Sequence, residues 1–184
     1  MGETTGNAPT LVLALPDANA TQRLGAVLGQ QLRVGSVVLL QGDLGSGKTT
    51  LTQGLGQQLG ISEPVASPTF ALLHEYTEGR LPLYHFDLYR LASEQVSALA
   101  PEQYWEGLEV PLGIALIEWC DRLPYEPEAF LHVRLTSIAA GTAFSSSGAT
   151  GSDSGRVATL SQAGPAQISL EAIAIAFEAA LDDS

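Results

Sequence analysis

Short apolar runs alternate with apolar residues at helical spacing in the first half of the chain. Residues 11–15 form a short apolar run suited to a strand, and residues 37–40 form a continuous aliphatic run, as expected for a strand that is buried on both faces. A helix is predicted between them, because Asp17 or Asn19 can cap it and its leucines and valines form one stripe. A second helix is predicted after residue 47, with leucines at every fourth position up to Leu59. This order predicts strand–loop–helix units.

The second half of the chain predicts more strands than helices. Residues 141–155 are almost wholly Gly, Ala, Ser and Thr, which predicts a flexible loop, and residues 1–10 predict a loose tail. The whole pattern predicts an α/β fold with a mixed sheet that has a parallel core, flanking helices and late antiparallel strands. The strand segments of this half are residues 70–76, 81–86, 114–117, 130–138 and 156–161.

Composition narrows the class of protein. The 184 residues are 45% hydrophobic and 15% charged, which predicts one globular domain over residues 1–184. A net charge of -12, from 20 acidic and 8 basic residues, argues against a dedicated nucleic-acid binder, because such proteins need a basic surface. The single cysteine excludes an internal disulfide framework, and no apolar run approaches the ~20 residues that cross a bilayer. We therefore expect a cytoplasmic domain without membrane attachment.

The segment from Gly42 to Thr49 matches the phosphate-loop pattern G-x-x-x-x-G-K-[ST] at every required position. Its glycines allow backbone N–H groups to surround phosphates, and the following helix adds its positive N-terminal dipole. Lys48, the only lysine of the chain, is expected to reach the β- and γ-phosphates, and the Thr49 hydroxyl is expected to bind Mg²⁺. A plain glycine turn would explain neither the Lys-Thr pair nor the flanking strand and helix. A nucleotide-binding fold of the P-loop NTPase type is predicted, and its loop contacts are Gly42, Asp43, Leu44, Gly45, Ser46, Gly47, Lys48, Thr49 and Thr50.

Two carboxylates follow apolar strands, Asp87 after one and Glu118 after another. The carboxyl ends of parallel strands border the ligand crevice, so either acid can hold Mg²⁺ while the other orients the attacking water. One such acid could equally be a solvated carboxylate at the end of a strand. Two acids in the same position are better explained by a functional site. Thr69 is a candidate contact to Mg²⁺ or the γ-phosphate. The simpler alternative is that this segment is an ordinary Ser-Pro turn. His85 is expected to be an ordinary strand histidine, since the histidines have no zinc spacing.

Four segments, taken in their order and spacing, resemble the bacterial TsaE (YjeE) ATPases. The segments are GDLGSGKTT at 42–50, SPTF at 67–70, HFDLYRL at 85–91 and IEW at 117–119. The resemblance runs from residue 15 to about residue 135. That family serves in making threonylcarbamoyladenosine, the modified base beside the anticodon of tRNAs that read ANN codons.

A Ras-like GTPase is excluded, because its guanine-reading motif needs a second lysine.

The resemblance implies roles for individual residues. Lys48 would bind phosphate, and Thr49 with Glu118 would hold Mg²⁺. Asp87 would serve hydrolysis, and Thr69 would belong to a switch segment. ATP and Mg²⁺ are therefore the implied cofactors, and the implied catalytic group is Asp87 with Lys48 and Thr69.

The resemblance also implies outer nucleotide contacts and a partner. Trp119 would lie beside the nucleotide, and Asp17 and Arg156 would contact it from outside the loop. The family acts with the TsaD–TsaB pair, which carries the transfer chemistry. An acidic chain of this kind is expected to dock on that pair and to leave the RNA to it, without sequence-specific nucleic-acid binding of its own. The alternative is a stand-alone small-molecule kinase, which would pass the γ-phosphate to a metabolite.

Overall fold

Seven strands form one mixed sheet in the part of the chain that the computed structural model describes, namely residues 9–68, 70–107, 109–138, 155–165 and 168–182. The strands are β1 (Thr10–Leu15), β2 (Val37–Gln41), β3 (Leu73–Tyr76), β4 (Leu83–Asp87), β5 (Ile114–Glu118), β6 (Phe130–Ser137) and β7 (Arg156–Ala163). Their order across the sheet is β1-β7-β6-β2-β5-β4-β3.

The centre of the sheet is parallel and its margins are antiparallel. Strand β2 pairs in parallel with β5 and β6, and β4 pairs in parallel with β5. Strand β3 is antiparallel to β4, and β7 is antiparallel to both β6 and β1. This confirms the predicted mixed sheet with a parallel core and late antiparallel strands.

Helices cover both faces of this sheet. They are α1 (Ala18–Gln31), α2 (Lys48–Leu59), α3 (Ser93–Leu99), α4 (Gln103–Glu106), the short 3-10 helix Cys120–Arg122 and α5 (Leu170–Asp182). One apolar core lies between the sheet and α1, α2 and α5, and a second joins the other face to α3 and α4. None of the helices described here is long and apolar enough to cross a membrane.

Several predicted segment boundaries need correction, among them the start of β3, which lies at Leu73 rather than at residue 70. Thr10 belongs to β1 and pairs with Ser161, so the loose tail expected over residues 1–10 ends earlier. Gly155 accepts a hydrogen bond from the Ile138 N–H at 2.9 Å, so it belongs to the β6–β7 hairpin rather than to the loop expected over 141–155. The other residues of that loop, from 141 to 154, and residues 1–8 of the tail lie outside the described residues.

Helices α1 and α2 touch backbone to backbone, and glycine makes that contact possible. A Cβ atom at Gly54 would collide with the carbonyl oxygen of Gln22, and one at Gly25 would collide with that of Leu51. Backbone atoms cannot move aside as a flexible side chain can. These two glycines therefore fix the position of α2, the helix that follows the phosphate loop, against α1.

We expect Gly54→Ala to lower the free energy of unfolding by about 2 kcal/mol or more, because overpacking against a rigid backbone outweighs the gain of about 1 kcal/mol in helix propensity. Urea denaturation measures this difference. Gly56→Ala is the matched control in the same helix, since its Cβ would meet side-chain methyl groups of Val65 and Ile61 rather than backbone. Equal stability of the two variants would contradict the backbone contact.

Candidate functional site

The phosphate loop, residues 42–49, connects β2 to α2. Its backbone has positive φ at Gly42, Gly45 and Gly47, conformations that favour glycine. The first N–H groups of any helix have no intrahelical partner. In α2 the N-cap residue is Gly47, which makes no side-chain capping bond to them. A free helix N-terminus of this kind attracts anions.

Lys48 is the cation of this loop, and its side chain is folded back onto it. Its Nζ donates to the carbonyl oxygens of Gly42 and Asp43 at 2.9 and 3.0 Å. The same Nζ lies 4.6 Å from the ring centroid of Trp119, a cation–π contact. The residue is only 6% exposed. A buried ammonium is thus held ready at the loop by oxygen atoms and an aromatic face.

Trp119 follows β5 in the left-handed region, with φ 59° and ψ 46°. A bulky residue rarely adopts this conformation, which is found mainly where surrounding structure enforces it. Its ring packs on that of Tyr89 with centroids 4.8 Å apart. The strained backbone therefore directs an aromatic wall against Lys48.

Two buried carboxylates stand beside the loop. Asp87 and Glu118 are 4% and 3% exposed, and the β4–β5 register places them directly opposite each other. Asp87 accepts from the Ser67 hydroxyl through Oδ2 at 2.8 Å and from the Tyr89 N–H through Oδ1 at 3.0 Å. Oε1 of Glu118 lies 2.9 Å from Nε2 of the fully buried His85. Each acid is held by hydrogen bonds of its own.

One cavity of about 350 Å³ joins these groups. It contains the lysine, both acids, the tryptophan and Arg156, which starts β7 and lies against Gly47. Most of the residues that the sequence predicted as site residues therefore lie together in this cavity. The lining consists of Leu44, Gly45, Gly47, Lys48, Thr49, Thr50, Ser67, Asp87, Tyr89, Glu118, Trp119 and Arg156.

Some of the predicted site residues do not line this cavity. Asp17 is the N-cap of α1, where its Oδ1 accepts from the Ala20 N–H at 2.7 Å, and it does not line the cavity. Gly42 and Asp43 line a neighbouring groove on the other side of Trp119. Ser46 is buried within the loop. Thr69 lies outside the described residues, so its place in a switch segment stays a prediction.

Residues 15–142 match a protein-family model described as "Threonylcarbamoyl adenosine biosynthesis protein TsaE". The chain belongs to the TsaE family. Membership confirms the resemblance carried by the four sequence segments and places the chain in the biosynthesis of threonylcarbamoyladenosine in tRNA. The phosphate loop, in its strand–loop–helix setting, makes it a nucleotide-binding protein of the P-loop type.

Similar proteins bear out the family and the fold. Proteins named tRNA threonylcarbamoyladenosine biosynthesis protein TsaE are similar in Nostoc sp. (57% identity, 66% of this chain, 75% of the relative) and Synechocystis sp. (54%, 66% and 77%). One from Mycobacterium bovis is 34% identical over 74% of this chain and 83% of its own. The crystal structure of Bacillus subtilis YdiB superposes with a TM-score of 0.65 at 26% identity, covering 98% of this chain and 100% of YdiB.

The oxygen donors in the cavity suit a magnesium ion. Thr49 offers a hydroxyl and Glu118 a carboxylate, and Mg²⁺ is usually held by one or two such groups together with phosphates and water. Within the described ranges, no three His, Cys, Asp or Glu side chains form a group that could hold a metal ion. Nucleotide phosphates and water would be the expected source of the remaining ligands.

Sequence reasoning missed three contributors to this TsaE-family site. Ser67 and Tyr89 both line the cavity and hold Asp87, and His85 contacts Glu118 from the core. A signal for His85 was present, because residues two apart on a strand share a face, and His85 precedes Asp87 by two. The contact itself joins β4 to β5 and has no local signature.

Cys120 is not among the residues that line this cavity, and its reactivity tests the burial of its thiol. Burial, helped by the negative charge of Asp121, raises the pKa of the Cys120 thiol to about 11. At pH 8 the folded chain should then hold about 100-fold less thiolate than an ordinary thiol of pKa 9.0, so iodoacetamide should react correspondingly slowly. The rate should rise steeply up to pH 11. Denaturant should restore ordinary reactivity, and equal rates in folded and unfolded protein would contradict the shift.

Proposed function

We propose that this TsaE-family chain binds ATP with Mg²⁺ and hydrolyses it as the ATPase subunit for threonylcarbamoyladenosine modification of tRNA, together with the TsaD–TsaB pair. The observation that carries the proposal is that Lys48, Asp87 and Glu118 line one cavity together with residues of the phosphate loop. Binding alone would not need two buried carboxylates beside the phosphate site, whereas in-line attack by water needs both a cation ligand and a water-orienting group.

The phosphates would be bound by the loop and the start of α2. Lys48 would exchange its bonds to the Gly42 and Asp43 carbonyls for the β- and γ-phosphates. Thr49 and Glu118 would hold Mg²⁺, which when bound supplies charge compensation to the phosphates. Trp119 and Arg156 border the same cavity and would contact the nucleotide further out, and Asp17 remains a candidate for the outermost contact.

Asp87 would act on the attacking water. Its two oxygens accept from the Ser67 hydroxyl and the Tyr89 N–H, so the carboxylate has a defined orientation. A carboxylate held in this way can accept a hydrogen bond from water and align it without moving. Ser67 also ties Asp87 to the segment that contains Thr69, which we propose as the switch that completes the site.

The partner would supply what the chain lacks. Lys48 and Arg156 are the cations that line the cavity, and they face two carboxylates there. In other phosphoryl-transfer enzymes, a cation supplied in trans is worth about 10³–10⁵ in rate. A net charge of -12 supports docking on a basic protein surface rather than on tRNA itself. The single cysteine supports a cytoplasmic location for this step.

We expect Asp87 and Glu118 to separate by role. Asp87→Asn should keep its affinity for a non-hydrolysable ATP analogue and lose about 100-fold or more in hydrolysis, as for loss of a general base. Glu118→Ala should instead lose the part of the affinity that depends on Mg²⁺. Titration calorimetry with and without Mg²⁺, combined with ATPase assays, distinguishes the two. Undiminished turnover in Asp87→Asn would remove Asp87 from the mechanism.

We expect slow ATP hydrolysis by the chain alone and faster hydrolysis when TsaD–TsaB is added. Docking between an acidic and a basic surface is weakened by salt, which screens exposed charges. The partner concentration needed for stimulation should therefore rise with ionic strength. The measurement is the ATPase rate against partner concentration at low and high salt. Lys48→Ala is the control, since it should bind the partner but show no stimulation.

A rate that is fast in the isolated chain and indifferent to partner and salt would contradict this function. It would favour the stand-alone kinase, which transfer of ³²P from ATP to a metabolite extract would reveal.

A further inference from the structure

His85 is a buried polar residue that the proposed mechanism has not used. It lies in β4 between Leu83 and Asp87, and its side chain is wholly inaccessible to solvent. Its Nε2 is 2.9 Å from Oε1 of Glu118. Because strand side chains alternate between faces, His85, Asp87 and Glu118 share the face that packs toward α1 and α2. The histidine therefore stands directly behind the carboxylate, on its core side.

The surroundings of the ring decide which nitrogen carries the proton. Nδ1 of His85 is buried and has no hydrogen-bond partner among the described residues. A proton on Nδ1 would be a buried donor without an acceptor, which is rarer and more costly than a lone pair left unused. The tautomer with its proton on Nε2 satisfies the contact, so that Nε2–H donates to Oε1 of Glu118.

We propose that His85 is a positioning residue that orients the Glu118 carboxylate for a divalent cation bound with the nucleotide. The proposal rests on the proposed function of Glu118 as a Mg²⁺ ligand. The terminal torsion of a glutamate has broad, shallow preferences, so an unrestrained carboxylate would sample many orientations. A hydrogen bond from His85 restrains Oε1 and leaves the second oxygen, Oε2, for the cation.

Such support is energetically significant in metal sites. Hydrogen bonds to the ligating groups orient them, and their loss typically costs about 10–100-fold in metal affinity. A merely structural buried pair offers no comparable reason for its placement, because apolar residues of similar volume often replace such pairs without loss of stability. What distinguishes His85 is that its partner is the carboxylate that lines the cavity.

The test compares His85→Gln with His85→Met, two side chains of nearly equal size. The Gln amide can donate from about the position of Nε2, whereas Met cannot donate. Titration calorimetry of a non-hydrolysable ATP analogue at varied Mg²⁺ should show a loss of about 10–100-fold in Mg²⁺ affinity for Met and near-complete rescue by Gln. Affinity for the analogue without Mg²⁺ should stay unchanged in both variants.

His74→Met is the matched control. His74 pairs with His85 across β3 and β4, but its Nδ1 lies 3.3 Å from the Tyr76 hydroxyl rather than at Glu118. This variant should respond to Mg²⁺ as the wild type does. Equal effects of His85→Gln and His85→Met, or a loss of analogue affinity without Mg²⁺, would overturn the positioning role.

Two further results separate this inference from the function on which it rests. If wild type and Glu118→Ala respond to Mg²⁺ alike, the metal role of Glu118 fails; if Glu118→Ala loses the response and His85→Met retains it, only the role of His85 fails. A wild-type measurement covers the case in which His85→Met does not fold. Nitrogen NMR of ¹⁵N-labelled histidine should place the proton on Nε2 of His85, and a proton on Nδ1 would overturn the proposal.

Discussion

The parallel hydrogen bonding of β2, β5 and β4 brings the ends of three strands to one edge of the sheet. The register sets Leu40 of β2 beside Glu118, and Glu118 beside Asp87. The phosphate loop leaves β2 at this edge, so the loop and both acids meet without any long-range adjustment. A slip of one residue in β5 would turn Glu118 to the opposite face. The register, kept by the two buried cores, is thus what assembles the site.

Two carboxylates share the cavity with Lys48 and Arg156, so a nucleotide bound there would need further charge compensation. Asp87 and Glu118 are nearly inaccessible, and their side chains contact the Ser67 hydroxyl and the His85 ring, respectively. Lys48 is likewise satisfied by carbonyl oxygens and an aromatic ring. A polyphosphate placed beside two buried carboxylates would be repelled, because Coulomb interactions are weakly screened there. A divalent cation bound with the nucleotide would offset this repulsion, which is the physical reason for including Mg²⁺ in the proposed function.

Local patterns predicted the elements of the fold but not every contact between them. The aliphatic run of β2, the leucine spacing of α2 and the acids at two strand ends can each be recognised within a dozen residues. The pairing of His85 with Glu118 depends on side chains 33 positions apart. The place of Arg156 depends on the pairing of β7 with β1, where Arg156 stands opposite Leu15. Such contacts arise from the register of the sheet, which no short window contains.

Gly47 is where these distant parts of the chain converge. A Cβ atom at this position would lie 3.3 Å from both the Thr21 methyl group and Nε of Arg156. Helix α1, strand β7 and the phosphate loop thus share one point of contact, and α1 is itself locked to α2 by Gly25 and Gly54. The start of α2 is therefore held by α1 and by the side of the sheet that β1 and β7 form. Because the contacts at Gly47 leave little free space, a shift of β7 or α1 would move the phosphate loop directly. Such a shift is a physical route by which the proposed docking could act on the proposed hydrolysis.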